Sequence, residues 1–332
     1  MAHKTNFEAV DKMLRDIRKI ELPFGGITVV FGGDFRQILP VVVKGNRAQI
    51  INSTLKKIYL WSQITTLQLN SNMPLTDSDT NYPKFLLDLG EGMLPEDVVI
   101  PDSMSAPTLN DLIAMTYSDF NVKCRDLNYL MERSILASRN SIVDEINEKI
   151  LATLDSAFFL YSSADTLIQS EGLNSSLYPP EFLNNLDMNG CPPHTLKLKE
   201  GCPIMLLRNL DASRGLCNGT RLIVTSLSQH IIVARTLVNE LEVFIPRIDF
   251  IPQTDLPFEF RRRQFPVRVC YAMTINKSQG QSIAHVGLYL PEPVFTHGQL
   301  YVGFSRVTSS ENIKVCAADN HTRNIVFREI FN

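Results

Sequence analysis

Gly26-Ile27-Thr28-Val29-Val30-Phe31-Gly32-Gly33-Asp34-Phe35-Arg36-Gln37-Ile38-Leu39-Pro40 opens on a β-branched, apolar run and then places a carboxylate, a guanidinium and an amide within four positions. A short apolar run closed by paired glycines is the pattern of a parallel strand buried on both faces. Polar residues just past the carboxyl end of such a strand lie where ligands bind in open α/β sheets. Upstream, Phe7, Val10, Met13, Leu14 and Ile17 recur at helical spacing, with Asp11, Arg15 and Lys19 on the other face. Pro23 and the Gly25-Gly26 pair stop that helix. Helix followed by buried strand predicts an α/β sheet, with residues 27–31 as one of its strands.

Downstream, residues 58–69 carry the only tryptophan, Trp61, and end in an alternating tail that reads as a strand reaching Asn70, followed by a polar loop over 75–82. Ser134-Ile135-Leu136-Ala137 is the next strand. Ser141-x-x-Asp144 has capping-box spacing for a helix whose apolar face is Val143, Ile146, Ile150, Leu151 and Leu154. Residues 161–203 turn to Ser, Asn, Pro and Gly, a long connection with little regular structure. Then Leu196/Leu198, Ile204/Leu206, Leu222/Val224, Ile231/Val233 and Val243/Ile245 alternate at period two, and Asn218-Gly219 is a hairpin signal, so a small antiparallel barrel is expected over 206–266. A strand at 286–290, a helix at 298–306 and a last strand at 313–316 complete the pattern.

The chain has 332 residues, 44% hydrophobic and 20% charged, enough apolar material for two domains or one large one. Its apolar runs fall far short of the roughly 20 residues a bilayer-spanning helix needs, so no membrane partner is expected. The formal charge of −3 gives no global pull toward nucleic acid, so any polyanion site is a local patch. The six cysteines form no Cys-x-x-Cys pair, and only Cys191 with His194 approaches zinc-ligand spacing. Reduced thiols in an intracellular compartment, and no metal site, are the simplest expectation.

Three further strings carry chemistry. In Tyr271-Ala272-Met273-Thr274-Ile275-Asn276-Lys277-Ser278-Gln279-Gly280-Gln281-Ser282, hydroxyls, an ammonium and an amide gather at a glycine-containing turn, a composition suited to phosphate contact and equally to a polar strand-to-helix loop. His297-Gly298-Gln299-Leu300-Tyr301-Val302-Gly303-Phe304-Ser305-Arg306-Val307 ends in an arginine that would ordinarily serve the helix dipole. Phe260-Arg261-Arg262-Arg263-Gln264-Phe265-Pro266-Val267-Arg268 concentrates four arginines beside aromatics, either a solvated barrel face or a phosphate track.

Together with residues 32–40, these strings resemble the third, fifth and sixth motifs of the PIF (petite integration frequency) family of DNA helicases, superfamily-one motors moving 5′ to 3′, and particularly its Helitron-transposon branch. Residues 201–209, 215–221 and 138–140 look like the same family, so the resemblance covers nearly the whole chain. It implies an α/β fold with parallel sheets: the C-terminal part of a first RecA-like domain (1–115), a second RecA-like domain (116–205 with 267–332) and an inserted small SH3-like β-barrel (206–266). It implies an ATP-dependent DNA helicase with ATP and Mg²⁺ as cofactors. Single-stranded DNA and DNA junctions would be the partners of a monomer, in the nucleus or alternatively the mitochondrion, serving DNA repair, recombination, telomere maintenance or Helitron transposition.

By the same resemblance, Gln37 senses the γ-phosphate, Asp34 and Arg36 link the nucleotide to the DNA groove, and Gly280 approaches the nucleotide. Arg306 stabilises charge on the transferring phosphoryl group. Thr274, Lys277, Ser278 and Gln279 hold the DNA backbone, and Arg261, Arg262 and Arg263 extend that track. An amide suits the sensor role because it both donates and accepts, and a planar, permanently charged fork suits the phosphoryl role.

The sequence departs from that pattern. A motor needs G-x-x-x-x-G-K-[ST] and an acidic pair at a strand end to organise Mg²⁺, yet none of the 16 glycines precedes a lysine. The only Asp-Glu, Asp144-Glu145, falls within the expected helix. In the family, Met-Ala-His-Lys lies just beyond the acidic pair, so the chain is expected to begin after half of the nucleotide site. Pro74 stands where the family has an arginine, a loss on the order of 10³ or more if it resembles an arginine-finger deletion. Gly303 stands where alanine is usual. Alone, the chain is expected not to hydrolyse ATP. The alternatives are a non-catalytic single-strand-binding remnant of a transposon helicase and an aggregating product with an exposed sheet edge.

Overall fold

His285–Leu290 and Ile313–Ala317 pair in parallel, with Val286 opposite Ile313 and Leu290 opposite Ala317. Both runs are almost continuously buried, as a strand covered on both faces must be. The computed structural model describes residues 2–69, 81–168, 178–188, 190–236, 241–252, 256 and 258–331. By its internal contacts the chain forms one unit of residues 1–112, 136–138 and 274–332 and another of 113–135 and 139–273.

In the first unit, the helix Asn81–Glu91 buries Tyr82, Leu86 and Leu89 at helical spacing. Tyr82 donates its hydroxyl proton to the Phe304 carbonyl at 2.8 Å, tying that helix to Gln299–Phe304. Asp97–Val99 pairs antiparallel with His321–Arg323. Leu39, Phe327 and Ile330 form a buried cluster with Phe35, Ile50 and Ile51, seating the 32–40 segment against the C-terminal residues.

The strands expected over 27–31 and up to Asn70 are not formed over the described residues. Residues 27–33 carry no ladder and Val30 is 90% exposed. After the single turn Trp61–Gln63 the chain runs irregularly, with Leu67 and Leu69 at the surface. A β-branched run becomes a parallel strand only with neighbours to take its N–H and C=O groups, and among the described residues none pairs with these. The helix Lys4–Arg18 does form, but Val10, Met13 and Ile17 face outward and Asp11 is its buried residue. Asp11 accepts the Phe24 N–H at 2.6 Å, pairs with Arg15 at 2.9 Å and takes a hydrogen bond from Tyr59, so its carboxylate anchors the turn Pro23–Gly26.

The second unit carries a five-stranded antiparallel sheet ordered Val267–Val269, Pro203–Leu206, Arg221–Leu227, Ile231–Thr236 and Glu242–Pro246, and a three-stranded one ordered Ile248–Phe250, Phe260–Gln264, Ala164–Leu167. Thr195–Leu198 pairs with Phe159–Ser162, so the expected irregular stretch at 161–203 contains strands. Ala164–Leu167 carries only one large apolar residue, too few for a period-two pattern. Asn218-Gly219 does turn, with φ +91° at Gly219, but it closes the long connection from Leu206 to Arg221 rather than a two-residue hairpin. The helix Asn140–Ala152 starts after Arg139 without a side-chain cap, so the Ser141/Asp144 box is not made; Asp144 instead faces Arg268 at 3.6 Å.

Candidate functional site

The Asp34–Gln37 turn is held by the Gln37 N–H on the Asp34 carbonyl at 3.2 Å and by the Arg36 N–H on Asp34 Oδ1 at 3.0 Å. Asp34 Oδ2 accepts from the Tyr301 hydroxyl at 3.1 Å. Burial and the Asp34 carboxylate push the Tyr301 phenol up to about 12, so it remains a donor. The Arg36 guanidinium turns to Glu91 and lies 3.6 Å from Asp34. Both carboxylates are therefore committed inside the protein.

Arg306 is 8% exposed. Its Nε donates to the Val302 carbonyl at 2.9 Å, Nη1 to the carbonyls of Ser278 at 3.2 Å and Gln281 at 2.9 Å, and Nη2 to Ser305 Oγ at 2.8 Å. The Val302 bond is the ordinary service of an arginine to the end of a helix. None of the four bonds reaches a carboxylate, and burial lowers its pKa from the usual arginine value, against the opposing influence of Tyr301 and Asp34. Beside it opens a cavity of about 320 Å³ lined by Gln37, Gly280, Gln281, Tyr301, Ser305 and Arg306, among others. A planar cation and an amide lining one cavity are a fitting arrangement for a phosphate group.

The loop between strand Ala272–Thr274 and this cavity is the turn Ile275–Ser278. Gln279 Nε2 donates to Gln37 Oε1 at 2.9 Å, and Gln299 Nε2 donates to Asn276 Oδ1 at 3.0 Å. With the Arg306 bond to the Ser278 carbonyl, the three strings 32–40, 271–282 and 297–307 meet in one polar network. Gly280 takes φ +79°, a conformation other residues rarely adopt.

Of the residues expected to hold phosphates, Gln37, Gly280 and Arg306 line the cavity, whereas Asp34 and Arg36 do not. Lys277 is exposed and Gln279 half-buried. Thr274 and Ser278 are corrected: both are buried, and the Ser278 hydroxyl donates to the Ile275 carbonyl at 2.7 Å, so neither presents a surface to a DNA backbone. Arg262 is corrected too. It is 1% exposed and forks onto Asp165 at 2.8 to 3.1 Å, because the strand Phe260–Gln264 alternates inward and outward and Arg262 points in. Arg261 and Arg263 point out, 3.8 and 3.6 Å from Asp249. Pro74 lies outside the described residues.

The triphosphate part of ATP fits this chemistry. Mg²⁺ does not: among the described residues no group of three or more His, Cys, Asp or Glu is placed to hold a metal, and Asp34 and Glu91 are engaged. Sequence reasoning missed Glu91, Asn276, Gln299 and His297. The last three lie inside the quoted strings, and a histidine and a glutamine at the start of an apolar helical run were the available signal. Nothing local in the sequence points to Glu91.

Residues 1–98 match the model of the PIF1-like helicase family, and residues 181–227 match that of the DNA helicase Pif1 2B domain. The chain is 27% identical over 325 residues to the ATP-dependent DNA helicase PIF1 of Xenopus laevis and 27% over 319 residues to that of Homo sapiens, covering 94% of this chain and 44% of each relative. The chain is similar to PIF1-like helicases at both matched stretches and along most of its length. It spans less than half the length of those two relatives. Its α/β fold resembles the Pif1 helicase of Candida albicans (22% identity, TM-score 0.68, all of this chain and 73% of that one). It likewise resembles Bacteroides Pif1 solved in complex with ADP-AlF3 and ssDNA (20% identity, TM-score 0.68, 98% and 70%). Among the described residues no helix is long and apolar enough to cross a membrane.

Proposed function

We propose that this chain carries the nucleotide-sensing and strand-gripping part of an ATP-dependent 5′-to-3′ DNA helicase. Gln37 and Arg306 contact the phosphates of ATP, and Lys277 with Gln279 contacts the backbone of single-stranded DNA. One observation supports this above others: the 276–281 loop is hydrogen-bonded to Gln37 through Gln279 and to Arg306 through the Ser278 and Gln281 carbonyls. A phosphate that arrives or leaves changes the partners of Gln37 and Arg306, and so shifts the loop that would hold DNA. In the cell this would serve genome maintenance or Helitron transposition, on single strands and junctions.

The second reading is a non-catalytic single-strand-binding remnant, favoured by the engagement of Asp34 with Tyr301 and of Glu91 with Arg36, which leaves both carboxylates occupied within the fold. In both readings the chain by itself turns over no ATP. The test is the affinity for a fluorescent oligothymidine with and without a nonhydrolysable ATP analogue, across a salt series. A several-fold change with nucleotide supports the helicase reading. Affinity that follows salt alone and ignores nucleotide supports the remnant.

A further inference from the structure

We infer that His297 is the positioning residue that sets Gln37 against Arg306, a role that deepens the proposed function and rests on it. His297 is fully buried, one residue ahead of Gly298 and the helix Gln299–Phe304 that leads to Arg306. Its Nδ1 accepts the Phe327 backbone N–H at 2.8 Å, so Nδ1 carries no proton and Nε2 donates to the Phe35 carbonyl at 2.8 Å. One ring thus bridges the loop two residues before Gln37 and the C-terminal segment. The next residue continues the clamp. The Gly298 N–H bonds the Ile325 carbonyl at 3.1 Å, and a Cβ on Gly298 would lie 2.3 Å from the Arg36 carbonyl oxygen and 2.7 Å from that of Gln37. His297 does not line the cavity and acts through Gln37.

Only the neutral imidazole serves both bonds, since a protonated Nδ1 would face the Phe327 N–H with a second donor. Burial is the largest influence on the ring and lowers its pKa from the usual histidine value. The bond to the Phe35 carbonyl opposes it most, with Asp34 and Glu329 adding to that, while Arg47, on the helix Arg47–Asn52, works in the same direction as burial. Phe327 and Phe331 close the ring in, with centroids 5.3 and 6.2 Å away. The clamp is therefore complete above the ordinary histidine pKa of about 6.5 and weakens as pH falls below it.

The test compares the full chain, H297A and H297Q by amide hydrogen exchange and by affinity for a nonhydrolysable ATP analogue between pH 5.5 and 8. In H297A, the amides of Arg36, Gln37 and Phe327 should exchange at least tenfold faster, those of Ile204, Met205, Leu206 and Arg221–Leu227 should not change, and the analogue should bind at least tenfold more weakly. Below pH 6.5 the wild type should lose affinity more steeply than H297Q, because the titration of the analogue's own phosphates is common to both. Unchanged exchange at Arg36 and Gln37 in a folded H297A overturns the inference, as do identical pH profiles for wild type and H297Q. Should H297A fail to fold, exchange of the wild type at low against neutral pH, set beside H297Q, decides the same point. If the wild type binds no analogue, the nucleotide reading falls, and the exchange data still decide whether His297 positions the loop.

Discussion

Arg262 and Arg306 are both buried guanidiniums bonded to several backbone carbonyls, and what separates them is a carboxylate. Arg262 forks onto Asp165 and also holds the carbonyls of Leu183, Leu186 and Pro192. Arg306 holds three carbonyls and one hydroxyl, and no carboxylate. A buried charge is tolerable when paired and costly when not, unless a ligand supplies the missing partner. The four-arginine run at 261–268 looked like the stronger anion site on count alone, yet its innermost member is spent on internal pairing. On the proposed reading, a guanidinium with no carboxylate in hydrogen-bond contact, rather than the density of positive charge, is where a phosphate would bind.

The largest test of that contrast is to break the Arg262 pair. Removing one partner of a buried ion pair typically costs about 3–5 kcal/mol, so Asp165→Ala or Arg262→Met should lower the urea midpoint sharply. The double replacement Arg262→Met with Asp165→Leu should restore most of the loss, because an apolar pair of similar volume leaves no charge stranded. A single variant that unfolds like the wild type would break the comparison.

Next in size is Gly298→Ala. Gly298 sits at φ +70° and its added methyl would meet the Arg36 carbonyl oxygen at 2.3 Å, so a loss of about 2 kcal/mol or more is expected from strain and displacement together. Its effect should extend to nucleotide affinity, since the displaced atoms belong to Arg36 and Gln37. Arg306→Met should show the reverse balance to Arg262→Met: about 1 kcal/mol in stability against a tenfold or larger loss of affinity for the ATP analogue. If Arg306→Met unfolds the chain as readily as Arg262→Met, the two arginines are alike and the cavity has lost its argument.

What the sequence shows of this depends on neighbours it does not state. The strands at 285–290 and 313–317 are legible because each apolar run has a parallel mate. Residues 27–31 have the same texture and form no strand over the described residues, because texture carries no information on pairing. At the candidate site, Gln37, Gly280 and Arg306 were singled out because each lies in a string of chemically unusual residues, and the three line one cavity. Arg262 was misplaced although its own strand held the answer: Phe260, Arg262 and Gln264 point in while Arg261 and Arg263 point out, and period two would have separated them. Ser278 was misplaced because a 3₁₀ turn folds its hydroxyl back on the Ile275 carbonyl. Glu91 was beyond reach, being 55 positions from the arginine it holds.

Asp11 is a third buried charge, paired like Arg262 but by hydrogen bonds as much as by an ion pair. Burial pushes its carboxyl up, and the bonds from Tyr59, the Phe24 N–H and Arg15, with the Arg15 charge, outweigh that and hold it below the usual carboxylate value. A carboxyl depressed in the fold stabilises above its unfolded pKa of about 3.9 and loses that contribution as pH falls through its folded value. Trp61 packs against Phe24, Ile58 and Leu60 beside this anchor, so the single tryptophan reports on it. Its fluorescence should change between neutral pH and strong acid in the wild type, while Asp11→Asn should begin near the acid value and respond little.

The smallest effect expected is that of Gly303→Ala, which asks how tightly Arg306 is held by the helix that carries it. A methyl at Gly303 would meet Leu288 Cδ1 at 3.1 Å and Cδ2 at 3.4 Å, with Ile275 Cδ1 at 3.9 Å. Alanine in a helix interior gains about 0.5–1 kcal/mol over glycine, and crowding of one leucine methyl, which can yield by a few tenths of an ångström, takes back a similar amount. Stability should therefore stay within about 0.5 kcal/mol of the wild type. Nucleotide affinity is the sharper reading, because any tilt of the helix Gln299–Phe304 moves the arginine two residues beyond its end. Unchanged stability with a several-fold change in affinity would show that Arg306 is tuned by packing beneath it. A change in neither would show that its four hydrogen bonds alone fix the guanidinium, as the fork onto Asp165 fixes Arg262.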